Sequence, residues 1–194
     1  MTAGLPRHLR RRWLLTLALI ALFVIVGSGV QRVMQTTTER PRVFKGIRWY
    51  ELVPKEWDPT KRFRELKLDA MRDSDPRTDR LLLDMRATWD NAPTVSAMDG
   101  AAIKLAGYLV PLDGAGREMR EFLLVPYFGA CVHSPPPPAN QIVHVTALHP
   151  LQGLRTMDAV WVSGTMNTAR QSSIMGVSGY RIDAESVERY VPRQ

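Results

Sequence analysis

The chain reads as an α+β fold: a small five-stranded, OB-like, partly closed β-barrel with flanking helices, preceded by one N-terminal transmembrane helix. Three observations predict it. An uncharged apolar run at 13–30 follows a group of arginines. A single stretch with helical period lies at 78–91, and from Thr94 onward short apolar runs alternate with Asp-Gly, Gly-rich and Pro-rich turns. At 194 residues, 45% of them apolar, the chain holds one ordinary globular domain and an appendage.

Residues 1–12 form a basic leader containing Arg7, Arg10, Arg11 and Arg12. The run at 13–30, WLLTLALIALFVIVGSGV, is eighteen residues long, at the lower edge of what spans a bilayer. The preceding arginines orient the N-terminus toward the cytoplasm, giving a single pass through a bacterial inner membrane with the C-terminal domain in the periplasm. A cleaved signal segment is the competing reading, with Gly27, Ser28 and Gly29 small enough for a peptidase site. Either way the remainder is exported. Residues 31–42 are polar, end beside Pro41 and read as a tether. No cysteine lies just after the apolar run, which excludes a lipid anchor at the mature N-terminus.

The formal charge is +7, and the four leader arginines leave only +3 for everything after them. A nucleic-acid surface needs a clustered basic patch on the folded domain, so this class of partner is excluded. A single cysteine cannot form an internal disulfide, so stability must come from the core.

Residues 43–93 read as an extended segment followed by a packing helix. Trp49, Tyr50, Pro54 and Trp57 suit a lid laid over apolar surface, 58–80 reads as a charged connection, and Leu81, Leu82, Met85 and Trp89 recur at near-helical spacing over 78–91 until Pro93 stops them. Residues 94–194 read as the OB-like β domain. Strands are expected at 103–112, 121–127, 141–148, 159–166 and 180–183, with a loop or short helix at 168–175. Asp183 reads as the N-cap of a closing helix over 184–190. Glycine inside two of the strands allows the sharp coiling that a closed sheet demands.

Chemistry concentrates between the second and third expected strands. Cys131 stands two residues before His133, ahead of Pro135, Pro136, Pro137 and Pro138. If the stretch were an extended strand, Cys131 and His133 would face one side, where His144, with His149 as a further candidate, could complete a site for zinc or copper. The competing account makes Cys131 a core filler and His133 the partner of a loop carbonyl. A nucleophilic Cys131, with His133 or His144 as base and Asn140 orienting the ring, is the enzymatic alternative; no catalytic residue is assigned on it. Four prolines favour polyproline II, a ridge that a partner's aromatic groove can grip, and Tyr127 and Phe128 would add apolar contact; a stiff crossover between strands explains the same run. Asp158 reads as a turn residue and His144 as a core histidine. There is no phosphate loop and no G-x-S-x-G.

The blocks LAGYLVPLD (105–113), EFLLVPYFGACVHSPPPPANQIVHV (121–145), DAVWVSGTM (158–166) and SGYRIDAESVERY (178–190) resemble the bacterial DUF3299 family, a domain of unknown function. The resemblance implies an envelope protein, exported or membrane-tethered and often a lipoprotein. It also implies association with an ABC-type permease and ATPase and with a metal-related periplasmic protein. The family's Cys-x-His-x-Pro-Pro-Pro-Pro signature falls on Cys131, His133 and Pro135 to Pro138, without a catalytic assignment. The expected function is a membrane-tethered periplasmic accessory or binding protein of an envelope transport system, binding envelope membrane proteins and a transition metal. A cysteine-dependent enzyme and a purely structural interaction module are the alternatives.

Overall fold

The computed structural model describes residues 42–61, 76–113, 118–132 and 136–191. All of these except Arg42 belong to the compact unit Val43–Gln194. The apolar run at 13–30 lies outside the described residues, and no helix among the described ones is long and apolar enough to cross a membrane.

Among the described residues there are six strands and one α-helix: β1 (Lys45–Gly46), α1 (Pro76–Asp90), β2 (Ala101–Pro111), β3 (Met119–Val125), β4 (Val143–Leu151), β5 (Ala159–Ser173) and β6 (Gly176–Arg189). They make one mixed sheet in the order β1-β2-β3-β4-β6-β5, and a further pairing of β5 with β2 brings its ends together. Neighbours are antiparallel except β1 with β2 and β4 with β6. The expected barrel therefore holds at a coarser level: an α+β chain whose mixed sheet is partly ring-like, not a barrel.

Alternation along the strands separates two apolar faces. Leu105 and Leu109 of β2, Phe122 and Leu124 of β3, Val143 and Val145 of β4, Val160 and Val162 of β5, and Tyr180 and Ile182 of β6 fill the interior of the ring. The intervening residues Val110, Leu123 and Val125, together with Ile142, carry a smaller cluster on the outside, closed by Ala130 and Met157. Gly107 and Gly164 stand where backbones come too close for a side chain. A Cβ at Gly107 would lie 2.8 Å from Leu124 Cγ and 3.0 Å from Trp49, and one at Gly164 would lie 2.3 Å from the Asp183 carbonyl.

The extended lid expected at 44–57 becomes β1 and a 3-10 turn, Trp49–Leu52. Trp49 donates its indole N–H to the Ala106 carbonyl at 2.7 Å, and Leu52 is fully buried. Trp49 is thus packed against the ring, whereas Tyr50 stays 66% exposed. The connection expected at 58–80 falls largely outside the described residues. Helix α1 appears nearly as its period predicts, and an Arg86–Asp90 ion pair (2.9 Å) lies one turn from its end.

Two expectations at the C-terminal end are corrected. Residues 184–190 are not a helix: through Arg189 they continue β6, because Val187 pairs with Val162 and Arg189 with Val160. Residues 168–175 belong to the β5–β6 hairpin instead of a separate loop or helix, with Thr168 opposite Tyr180 and Ser173 opposite Gly176.

Candidate functional site

The most distinctive surface is the loop 126–132 that leaves β3. Pro126 ends the strand, and a tight turn follows with Ala130 N–H to Tyr127 carbonyl (3.4 Å) and Val132 N–H to Gly129 carbonyl (3.3 Å). Gly129 has φ 87°, which glycine adopts without cost, and Cys131 has φ 64°, which other residues rarely adopt. The loop is pinned from below. Gly129 N–H donates to Met157 Sδ at 3.2 Å, while Met157 N–H donates to the Leu109 carbonyl at 2.7 Å, tying loop and β2 together. Phe128 meets Tyr108 edge to face, centroids 5.8 Å apart. Above these anchors Tyr127, Phe128 and Val132 stay 47%, 66% and 38% exposed, so three apolar side chains project from a fixed backbone.

Cys131 is half-buried against the outer cluster. Burial pushes its thiol up to about 11, although the Arg86 guanidinium pulls the other way. A thiol so placed is protonated at neutral pH, and burial works against the thiolate that a nucleophile requires. Cys131 is a turn residue, so the strand alternation that would have aligned it with His133 does not operate here. His133 and Pro135 lie outside the described residues.

The other three prolines are not a free ridge. Pro137 is buried and Pro136 and Pro138 half-buried. Pro136 closes on the β5–β6 hairpin, where a Cβ added at Gly176 would stand 3.0 Å from its own Cβ. Pro138 has φ −55° and ψ 150°, the polyproline II region, and leads into a 3-10 turn, Ala139–Gln141. Asn140 is fully buried there, donating from Nδ2 to the Pro93 carbonyl at 3.0 Å while its Oδ1 has no hydrogen-bond partner among the described residues.

His144 is buried at 5% exposure, but it does not face the ring interior. Val143 and Val145 point inward, which turns His144 to the outer face beside its register partners Leu123 and Arg181. Its Nε2 has no hydrogen-bond partner among the described residues; Glu121 Oε2 stands 3.6 Å away, beyond hydrogen-bonding reach. Burial holds the imidazole below its ordinary value; Glu121 opposes that shift and Arg181 adds to it. Arg181 is held by an ion pair with Asp183. His149 is exposed within β4, where a loop was expected. Asp158 is a turn residue, accepting Arg155 N–H at 2.9 Å and pairing with Arg189 at 3.1 Å.

Cys131 and His144 thus border the same outer cluster from the turn and from β4. Among the described residues, no three His, Cys, Asp or Glu side chains gather as metal ligands. Sequence reasoning missed Tyr108 and Met157 under the loop and Glu121 beside His144. Only the strand register brings these together, and no local pattern announces it.

The family model for DUF3299, a protein of unknown function, matches residues 49–189. The chain belongs to the DUF3299 family. Its fold is similar to the crystal structure of a DUF3299 family protein from Pseudomonas aeruginosa PAO1, with 34% sequence identity and a TM-score of 0.60 over 79% of this chain and 100% of that one. No curated protein matches the chain. The DUF3299 match takes in both the projecting loop and the ring that carries it.

Proposed function

We propose that this DUF3299 protein is a membrane-tethered periplasmic accessory protein of an ABC-type envelope transport system, and that loop 126–132 binds an envelope membrane protein. The observation that carries this reading is the loop itself: Tyr127, Phe128 and Val132 are all exposed within one short loop whose backbone is held by Tyr108, Gly129 and Met157. Rigid aromatic side chains lose little freedom on docking, which is what a recognition surface needs. Further along the chain, half-buried Pro136 closes on the β5–β6 hairpin and Pro138 holds the stiff polyproline II conformation. The address rests on the sequence, with residues 13–30 as a single pass through the inner membrane and the N-terminus in the cytoplasm. Strand order β2-β3-β4-β6-β5 with return to β2, and the parallel β4–β6 pair, support an OB-like connectivity for the ring.

The test uses the full-length chain carrying Tyr127→Ala and Phe128→Ala together. Co-purification with envelope membrane partners is expected to disappear while thermal melting falls only slightly, because losing the Phe128–Tyr108 edge-to-face contact costs about 0.5–1.5 kcal/mol and the fold is retained. Undiminished co-purification would end this reading.

A second reading, binding of zinc or copper through Cys131 with His133 and His144, has one supporting observation. Cys131 packs against the outer cluster, His144 stands opposite its member Leu123, and His144 Nε2 is buried without a hydrogen-bond partner among the described residues.

A further inference from the structure

Glu121 of β3 and His144 of β4 are diagonal neighbours on the outer face of the sheet, since Glu121 stands opposite Thr146 and His144 opposite Leu123. His144 Nε2 lies 3.6 Å from Glu121 Oε2, too far for a direct hydrogen bond. The imidazole is 5% exposed and Nε2 has no hydrogen-bond partner among the described residues, so a buried polar atom stands beside a carboxylate it does not reach. Both backbones are fixed. Glu121 N–H donates to Asp113 Oδ1 at 3.0 Å and its carbonyl accepts Leu112 N–H at 3.1 Å, while His144 is paired on both flanks, with Leu123 and with Arg181. The Glu121 side chain is 49% exposed, which leaves its carboxylate free to adjust and in reach of water.

We propose that His144 Nε2 and Glu121 Oε2 are two ligands of a zinc ion on this outer face. Zinc bonds of about 2.0–2.2 Å to nitrogen and oxygen, at a near-tetrahedral angle, set the two donors roughly 3.3–3.5 Å apart. A small shift of the exposed carboxylate therefore admits the ion. The donor types select in the same direction, because imidazole with carboxylate suits zinc, whereas magnesium and calcium take oxygen alone. Charge agrees as well. Arg181, beside His144, is ion-paired with Asp183, so the uncompensated charge next to the imidazole is the Glu121 carboxylate. No third His, Cys, Asp or Glu side chain joins the pair among the described residues, and the remaining positions of the tetrahedron fall to water. The inference rests on the metal reading of His144 and sets Glu121 in place of Cys131 and His133.

The test is equilibrium dialysis of the full-length chain against Zn(II), with bound zinc counted by elemental analysis. The wild type is expected to take up roughly one zinc per chain. Glu121→Gln should weaken retention roughly tenfold or more, since losing a direct ligand costs at least as much as losing the group that orients one. Its metal-free melting should stay close to wild type, because the side chain is exposed. Cys131→Ser with His133→Ala should keep the zinc, and cobalt(II) in its place should show no thiolate charge-transfer band. No zinc on the wild type overturns the site, as does wild-type retention by Glu121→Gln. Loss of zinc from the Cys131→Ser, His133→Ala chain, or a thiolate band with cobalt, overturns the His144–Glu121 set and leaves the thiolate set standing. Tyr127→Ala with Phe128→Ala should retain zinc as the wild type does, so the docking loop and the metal site are judged separately.

Discussion

At Cys131 the backbone and the side chain make opposite demands. A positive φ costs an ordinary residue about 1–2 kcal/mol, and glycine avoids most of that. Cys131→Gly is therefore expected to be more stable than Cys131→Ala by about 1 kcal/mol, read from denaturant midpoints. An alanine variant as stable as the glycine one would show that the turn relaxes. His144 makes a different prediction. Its folded-state pKa lies below the unfolded value of about 6.5, so the unfolded chain takes up the proton first as pH falls. The contribution is fully present above about pH 6.5 and is lost as pH drops through the lower folded value. Stability of the wild type should consequently fall more steeply below about pH 6.5 than that of His144→Gln. Parallel pH profiles from urea unfolding would contradict the assignment.

Among the elements, the β5–β6 pair is the most sensitive to a single atom. Gly164 sits at a bulge where a Cβ would meet the Asp183 carbonyl at 2.3 Å and Ala184 Cα at 2.8 Å, both backbone atoms that cannot swing aside. Gly164→Ala should destabilise by about 1–3 kcal/mol, measured as a lower melting temperature with the fold retained. An unshifted melting curve would mean that the strands can separate there freely. The same pair marks the limit of what the sequence disclosed. Helix α1 was legible because Leu81, Met85 and Trp89 repeat at its period within one segment. The continuation of β6 over 184–189 was not: Ala184, Glu185 and Glu188 favour a helix locally, and only pairing with β5 and burial of Ala184 override that preference. At the candidate site, Phe128 falls in the loop expected between two apolar runs, whereas Tyr127, expected to end a strand at 121–127, lies in that loop because the strand stops at Val125. The inward turn of Val143 and Val145, which sends His144 outward, depends on a register that β4 alone does not encode.

For the molecule as a whole, Tyr180 joins three parts of the chain. Its hydroxyl donates to the Leu52 carbonyl at 2.7 Å and accepts Val95 N–H at 2.6 Å, linking β6 to the N-terminal segment and to the approach to β2. The ring is fully buried and its phenol is raised above the usual value by that burial. Tyr180→Phe keeps the apolar volume but leaves both backbone groups without this partner, an expected loss of about 1–3 kcal/mol. Equilibrium unfolding of the full-length chain measures it, and an unchanged midpoint would show that the hydroxyl is dispensable. The return of β5 to β2 carries a consequence for assembly. Around the ring, each of β2 to β6 has a strand on either flank. Along the stretches that are paired on both flanks, recruitment by lending an extra strand is thereby denied to foreign chains and to copies alike. Whatever this protein joins there must recognise it by its side chains.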